Sequence, residues 1–401
     1  MKKKFIQVCF PDSILTPIRK GHPWGFSKKF SPFLKELKPG SWIQIQNSHK
    51  KTIGYGIYTP GELSILKIFW HGEDFDLKLL LQRLHSRLSL REPLWKITNS
   101  IRLIHGENDY IPGITIDFHE KVLVTRVYSP YLISIARFLQ RYVIQFLSSK
   151  LAPSSLSCYL QIPNRISGNW NYKKKFQVWR GKLFSKLKIY QDEIDYLINP
   201  TFQKGGIYND IRNLRTYLLE NKEKLTGKVA LNLFSNNGFL SKVLEKIGYS
   251  EIDSLEYNSN LIENAKENLN PKIHNIVQLD IFKNLSSFLE LNKKIYDLII
   301  IDPPSLTSKQ KDKPKAREIY QKLISFCLPY LKENGFLILC SCSNRIHPQD
   351  FERISLETFK KNMVYVKLIE KLKPELDHPT IQEFPEGNYF KVFIYKKGQK
   401  I

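Results

Sequence analysis

The chain has 401 residues, of which 62 are Lys or Arg and 38 are Asp or Glu, giving a formal charge of +24. This length predicts two or three domains, and the basic excess indicates a polyanionic partner, with nucleic acid favoured over a membrane surface. No segment has the length of a membrane span, and the first apolar stretch is too short for a secretory signal. Five cysteines without CxxC spacing argue against disulfides and a metal site, so we expect no metal and a cytoplasmic location.

Residues 1–73 form the first predicted domain. Short β-like segments alternate there with Pro and Gly, which predicts a small β-rich barrel. The first 50 residues contain ten Lys or Arg and two acids, a net charge of +8. A basic, mostly β module of this kind is better suited to RNA binding than to catalysis.

Residues 74–190 form the second predicted domain, of α+β type. Helical periodicity over 74–92 is followed by alternation over 101–128, which predicts paired strands, and by a further helix over 131–147. Segment 168–190 contains seven basic residues, six aromatic residues and no acid. Such a segment can bind phosphates and stack on bases. The alternative is a twisted hairpin with its rings inside and its lysines in water.

Residues 191–401 alternate between strand-like and helix-like segments, which predicts a doubly wound, Rossmann-like α/β sheet. Ligands of such sheets bind at the carboxyl ends of the strands. The seven candidate strands are 229–234, 251–256, 276–279, 296–301, 336–340, 365–369 and 389–395.

Acidic residues follow two of these strands and suggest a nucleoside cofactor. Glu256 ends the second strand, where a carboxylate can accept from both ribose hydroxyls, and Asp280 follows the third, where it can accept from an adenine amine. The loop FSNNGF at 234–239 has the single glycine Gly238, whereas a pyrophosphate needs GxGxxG. S-adenosylmethionine is therefore favoured over NAD. Either acid alone could equally be a surface residue or a helix cap, but their recurrence at successive strand ends favours a site.

The fourth strand runs into DPPS, residues 302–305. Its two prolines restrict the backbone and place Asp302 at the edge of the crevice. Enzymes that methylate an exocyclic base amine tend to have an aromatic residue in the fourth position of this motif, where the chain has Ser305. The motif therefore disfavours amine methylation, and a Pro-rich turn without a catalytic role is the alternative.

The fifth strand runs into SCSN and contains two cysteines, Cys340 and Cys342. Methylation of C5 of a pyrimidine needs a thiolate that adds to C6, because C5 alone is a poor nucleophile. Cys342 lies beyond the apolar segment and is the better candidate nucleophile, whereas Cys340 belongs to the strand and is expected in the core.

The sequence resembles the PUA-domain-containing class I S-adenosylmethionine-dependent 23S ribosomal RNA (cytosine-5) methyltransferases. Motifs in matching order cover nearly the whole chain. They are RKGHPWGFS (19–27), GYGIYTP (54–60), GENDYIPGITID (106–117), QKGGIYNDIRNLR (203–215), LNLFSNNGF (231–239), DPPS (302–305), SCS (341–343) and DHPTIQEFPEGNYFK (377–391).

The resemblance implies a Rossmann-like methyltransferase domain with a seven-stranded sheet at 191–401, preceded by a PUA-like barrel and the central domain, with S-adenosylmethionine as cofactor. It makes Cys342 the nucleophile and Asp302 a residue that lines the target-base pocket or positions the methyl group. The implied cofactor residues are Asn232, Phe234, Ser235, Asn237, Gly238, Glu256, Asp280, Asp302, Asp210 and Arg212. The implied RNA-contacting residues are Pro303, Pro304, Ser305, Arg19, His22, Trp24, Lys173, Lys174, Lys175 and Arg180.

We therefore expect 5-methylcytosine formation in 23S ribosomal RNA, in the cytoplasm, with no membrane partner. A relative that methylates a guanine ring nitrogen would share the fold without needing a nucleophile. A non-catalytic RNA-binding ribosome-assembly factor is a further alternative, because the FSNNGF loop departs from the family pattern at Asn236, Asn237 and Phe239. An NAD-dependent dehydrogenase is least favoured. The sequence does not determine the target nucleotide, and it allows either a monomer or a homodimer.

Overall fold

A computed structural model describes residues 5–61, 63–150, 152, 155–163, 175–202, 206–307 and 312–398. The chain forms two compact units. The N-terminal unit comprises residues up to 191 together with 199–205 and 376–387, and the C-terminal unit comprises 192–198, 206–375 and the residues from 388 onward. Among the described residues, no helix is both long enough and apolar enough to cross a bilayer. The three-domain division at residues 73 and 190 stays a prediction.

The first sheet of the N-terminal unit has five strands in the order β1-β3-β4-β5-β2. Gly54 in β4 is required by close packing, because a Cβ atom there would lie 2.4 Å from the carbonyl oxygen of Trp70. A separate apolar core supports this sheet and includes Phe10, Leu15 and Ile43. The elements are β1 Ile6–Cys9, α1 Asp12–Arg19, β2 Trp24–Phe26, α2 Ser27–Leu34, β3 Trp42–Gln46, β4 Thr52–Tyr58 and β5 Ser64–His71.

The second sheet of this unit has the order β10-β9-β8-β7-β6. Helix α3 begins after Asp76, whose side chain accepts a hydrogen bond from the backbone of Leu79 at 2.8 Å. The apolar faces of α3 and α4 pack on the sheet in one core. The elements are α3 Leu77–Ser89, β6 Ser100–His105, β7 Ile114–His119, β8 Val122–Val127, α4 Ile133–Leu147, β9 Ser157–Gln161, β10 Phe176–Arg180 and β11 Leu187–Gln191, the last of which lies outside this sheet. The predicted α+β character is confirmed.

A buried ion cluster lies within the second sheet. Arg102 Nε donates to Asp117 Oδ1 at 2.7 Å, and Arg126 also donates to the Asp117 carboxylate. Burial by itself would raise the pKa of Asp117, but the two guanidinium groups hold it well below its usual value. Asp377 accepts from the backbone N–H of Arg102 at 2.9 Å, so the 376–387 segment is bonded into the same unit.

The C-terminal unit contains a seven-stranded sheet in the order β15-β14-β13-β16-β17-β19-β18. Strand β19 is antiparallel to both of its neighbours. All seven predicted strands are present, and the Rossmann-like prediction is confirmed. The strands are β12 Ile194–Ile198, which lies outside this sheet, β13 Val229–Leu233, β14 Glu251–Glu256, β15 His274–Gln278, β16 Tyr296–Ile301, β17 Leu331–Ser341, β18 Val366–Lys371 and β19 Lys391–Lys397.

Helices cover both faces of this sheet, as the doubly wound pattern predicts. Leu231 and Leu233 of β13 pack in one core with α8, α9 and α10. Asn232 faces the other way, and its Nδ2 donates to Ser241 Oγ of α6 at 2.9 Å. The helices are α5 Arg212–Glu220, α6 Phe239–Lys246, α7 Ser259–Asn268, α8 Ile281–Asn292, α9 Lys313–Cys327 and α10 Pro348–Lys361.

Strand β17 is longer than predicted, because it starts at Leu331 rather than at residue 336. The polar residues 332–334 hide this extension from an apolar pattern. Leu331 nevertheless pairs with Tyr296 across a register shift. The difference lies far from the carboxyl end of the strand and leaves the candidate site unchanged.

Candidate active site

The turn after β13 has an unusual backbone conformation. Phe234, Asn236 and Gly238 have positive φ angles of 60°, 50° and 77°. At Gly238 a Cβ atom would lie 2.5 Å from Leu269 Cδ1, so a larger residue does not fit without a shift of that side chain. Gly238 is also the residue before helix α6. The turn therefore brings the backbone of 235–238 to the carboxyl end of the sheet.

Glu256 joins this turn to the second strand. Its Oε2 accepts from the backbone N–H of Asn236 at 3.0 Å, and its Oε1 accepts from those of Tyr257 and Asn258 at 2.8 and 2.9 Å. The residue is buried. Each carboxylate oxygen offers two lone pairs, so Glu256 retains acceptor capacity for a ribose hydroxyl.

Two other polar side chains of the turn are buried with an unsatisfied atom. Within the described part of the chain, Ser235 Oγ and Asn237 Oδ1 have no hydrogen-bond partner, while Asn237 Nδ2 donates to the carbonyl oxygen of Gly206. An unsatisfied buried polar atom is costly, and a bound ligand with polar groups would remove that cost. The ammonium and carboxylate groups of a methionine moiety have the required donors and acceptors. The turn thus fits an S-adenosylmethionine cofactor.

Asp280 lies at the start of α8, beyond β15. Its Oδ2 is 3.2 Å from Lys283 Nζ and the side chain is partly exposed. Next to it, the ring of Phe282 is 5.1 Å from that of Phe234, and 37% of Phe282 is exposed. An adenine could therefore meet both an acceptor and an aromatic surface. Phe282 was not predicted, although its position two residues after Asp280 is a usable signal.

Asp210 and Arg212 are buried and bonded to the later part of the chain. Tyr389 OH donates to Asp210 Oδ2 at 2.8 Å, and Arg212 Nη1 lies 3.4 Å from Glu375 Oε2. These bonds hold segment 206–215 within the C-terminal unit. A direct contact of either residue with a cofactor stays a prediction.

Cys342 and the DPPS motif meet at the ends of adjacent strands. Cys342 Sγ donates to the carbonyl oxygen of Pro303 at 3.6 Å, and the thiol is partly exposed. Cys340 is fully buried in β17, opposite Val392, and burial raises the pKa of its thiol well above the usual value. The two cysteines therefore differ as expected, since one lies in the core and one at the edge of the sheet. Ser305 Oγ donates to the carbonyl oxygen of Thr307 at 3.3 Å.

The sequence interpretation missed Tyr208 and Lys391. Burial, together with the carboxylates of Asp210, Asp302 and Glu256, raises the pKa of Tyr208 to about 12. The phenol therefore lies within reach of the cofactor side and the DPPS side of the crevice. Lys391 begins the strand beside Cys342. Tyr208 lies in the family motif at 203–215 and Lys391 in that at 377–391, but only the order of the strands brings them to the site.

The predicted RNA-contacting residues of the N-terminal unit have partners within that unit. Trp24 Nε1 donates to Glu107 Oε1 at 2.8 Å, His22 Nε2 lies 3.5 Å from Glu386 Oε2, and Arg19 is paired with Asp12. Lys175 and Arg180 are exposed on and beside β10. Their contact with RNA stays a prediction. The predicted residues Lys173 and Lys174, like Gln203 and Lys204 of the family motif, lie outside the described residues.

Comparison with known proteins relates the chain to methyltransferases. Residues 15–69 match the family described as PUA-like domain. The chain is 24% identical to "Ribosomal RNA large subunit methyltransferase I" of Alteromonas mediterranea, over 97% of this chain and 98% of that protein. It is 26% identical to the protein of the same name from Erwinia tasmaniensis, over 93% and 94% of the two chains.

Two solved structures share the fold. A SAM-dependent methyltransferase from Streptococcus mutans superposes with a TM-score of 0.81 at 20% identity, over 98% of this chain and 100% of that one. A methyltransferase structure complexed with SAH gives the same values. The fold of this protein is therefore that of a class I methyltransferase with an N-terminal PUA-like domain.

Proposed function

We propose that this protein is an S-adenosylmethionine-dependent methyltransferase of large-subunit ribosomal RNA, and that it forms 5-methylcytosine in 23S ribosomal RNA. The names of the full-length relatives support the substrate class. The observation that carries the choice of base is the position of Cys342, whose Sγ lies 3.6 Å from the carbonyl oxygen of Pro303 at the ends of two adjacent strands. A methyltransferase acting on a nitrogen atom has no need of a thiol there.

The cofactor residues have separate tasks in this proposal. Glu256 accepts a hydrogen bond from a ribose hydroxyl, Asp280 accepts from the adenine amine, and the 232–238 segment holds the methionine moiety. When bound, S-adenosylmethionine supplies a methyl group on a sulfonium sulfur, which leaves with the electron pair of the broken carbon–sulfur bond. The buried, unsatisfied Ser235 Oγ and Asn237 Oδ1 support this assignment.

Cys342 performs the covalent step. Its thiolate forms a bond to C6 of cytosine, and the electrons of the C5–C6 double bond move to C5, which then takes the methyl group. A base next removes the proton from C5, the double bond re-forms, and the thiolate is released from C6. Asp302 and the two prolines after it line the position of the target base. Each turnover regenerates the free Cys342 thiolate.

RNA binding follows from charge and from the N-terminal unit in this proposal. The formal charge is +24, and the PUA-like match covers residues 15–69. Exposed Lys175 and Arg180 supply cations next to the aromatic residues of β10. RNA affinity should therefore fall steeply with salt. A ribosomal RNA substrate implies that the protein acts in the cytoplasm. Light scattering in solution decides whether the protein is a monomer or a homodimer.

The test is to incubate ribosomal RNA with the protein and labelled S-adenosylmethionine, and to identify the labelled nucleoside by mass spectrometry. We expect 5-methylcytosine. Label on a guanine instead would reject the thiol mechanism while retaining the methyltransferase. If calorimetry detects no binding of S-adenosylmethionine, both the thiol mechanism and the methyltransferase activity are rejected. That result would favour the RNA-binding assembly factor.

A further inference from the structure

The buried ammonium group of Lys391 is bonded to the turn that carries Cys342. Its Nζ donates to the carbonyl oxygens of Ser343 at 2.7 Å, Ile346 at 2.8 Å and Tyr389 at 2.8 Å. Lys391 is 4% exposed. An ammonium group has three donors, and here all three are used. The side chain therefore fixes the turn directly after Cys342 from two sides.

The sheet places Lys391 there by register. Lys391 is the first residue of β19 and pairs with Ser341, the last residue of β17. Cys342 therefore lies between Ser341, which pairs with Lys391 in the sheet, and Ser343, whose carbonyl oxygen accepts from the Lys391 ammonium group. A shift of β19 by one residue would remove this arrangement, because successive side chains point to opposite faces.

The charge of Lys391 and that of a Cys342 thiolate favour each other. The pKa of Lys391 is lowered to about 8, because the effect of burial outweighs that of the Cys342 thiolate, which acts in the opposite direction. Coulombic coupling is mutual, so the ammonium group favours the thiolate by the same interaction.

Among the described residues, Cys342 also acts on the Cys340 thiol and on the phenols of Tyr208 and Tyr320, and the charged Arg345 lies in the same turn. Asp302 and the Cys342 thiolate both raise the pKa of the Cys340 thiol, so each of them lies near that thiol, and a carboxylate opposes a neighbouring thiolate. Burial raises the pKa of both Tyr208 and Tyr320, so both phenols are neutral at pH 7. The coupling of Lys391 to Cys342 is evident from the pKa of Lys391 itself, which the Cys342 thiolate raises.

We propose that Lys391 is a positioning residue for the transfer reaction: its ammonium group holds the 341–346 turn in place and favours the thiolate form of Cys342. The role of Lys391 in catalysis rests on the proposed function, in which Cys342 is the nucleophile. The ammonium group does not contact the reacting base, because its donors are used by backbone carbonyls.

The test measures the alkylation rate of Cys342 by iodoacetamide against pH, in the full-length protein without RNA, with peptide mass spectrometry to separate Cys342 from the exposed Cys9. For Lys391→Met we expect the midpoint to rise by about one pH unit and the rate at pH 7 to fall about tenfold. The matched control is Lys397→Met, because Lys397 Nζ donates to the carbonyl oxygens of Leu328 and Leu331 at 3.4 and 2.6 Å on the same strand. The control should keep the wild-type profile.

An unchanged Cys342 profile in folded Lys391→Met, or an equal shift in Lys397→Met, would overturn the inference. If Lys391→Met does not fold, Lys391→Gln decides, since it keeps N–H donors for the carbonyls and loses the charge; an unshifted midpoint in that variant also overturns it. Alkylation requires neither cofactor nor RNA. A wild-type protein that transfers no methyl group would therefore reject the proposed function and leave the thiol measurement interpretable.

Discussion

The carboxylate of Glu256 accepts a hydrogen bond from the backbone N–H of Asn236 at 3.0 Å. The residue that ends the second strand therefore also holds the turn after the first. This single bond joins the expected ribose site to the expected methionine site, so we expect both to respond to a change at Glu256.

Glu256→Gln should weaken S-adenosylmethionine binding by about 10- to 100-fold, because hydrogen bonds to a charged group are worth about 1.5–3 kcal/mol. Isothermal titration calorimetry measures the affinity. Glu251→Gln is the control, since Glu251 begins the same strand and is paired with Lys294 at 2.9 Å. Equal affinities in the two variants would reject the ribose assignment.

Cys342→Ala should lower methyl transfer by on the order of 10³-fold or more, because the nucleophile is lost, while RNA affinity stays within about twofold. Labelled methyl incorporation and an RNA binding titration measure the two quantities. Cys340→Ala should retain transfer and lose only about 1 kcal/mol of stability, since Cys340 is a fully buried thiol in the strand. Retained transfer in Cys342→Ala would contradict the proposed mechanism.

Gly238→Ala should lower cofactor affinity, because the added Cβ would lie 2.5 Å from Leu269 Cδ1 and the turn would have to move. Gly248→Ala is the matched control: Gly248 also has a positive φ, of 107°, but no atom lies within 4 Å of its added Cβ. Both variants should lose roughly 1–3 kcal/mol through backbone strain. Calorimetry should show weaker binding only in Gly238→Ala, and an equal loss in both would mean that the turn geometry is not specific to the site.

Asp117→Asn should destabilise the N-terminal unit by about 3–5 kcal/mol, because two buried guanidinium groups lose their counter-charge. The pKa of Asp117 is held below its unfolded value of about 3.9, so its stabilisation is complete above that pH and is lost as the pH falls toward the folded pKa. Thermal unfolding should therefore show a large difference from wild type at pH 7 that shrinks between about pH 4 and pH 2. Asp12→Asn, at the exposed pair with Arg19, should change little. A pH-independent difference for Asp117→Asn would contradict the charge argument.

Much of the fold could be predicted from sequence because it depends on local patterns. The seven strands of the C-terminal sheet were recognisable as short apolar segments between helical ones, and the strand ends carried Glu256, Asp280, Asp302 and Cys342. The extension of β17 to Leu331 was missed, since its polar residues 332–334 give no strand signal and its pairing with Tyr296 is non-local.

The sequence by itself therefore determined the elements, the order of the motifs and the residue types at the carboxyl ends of the strands. Only the tertiary structure decided which of those ends are neighbours. Cys340 and Cys342 are two residues apart, so the alternation of side chains along a strand places both on the same face and cannot distinguish their roles. Their roles differ because β17 ends at Ser341, before Cys342, and because Cys340 is buried. Lys391 reaches the Cys342 turn because β19 is antiparallel to β17, a pairing between residues about 50 positions apart that no local pattern specifies.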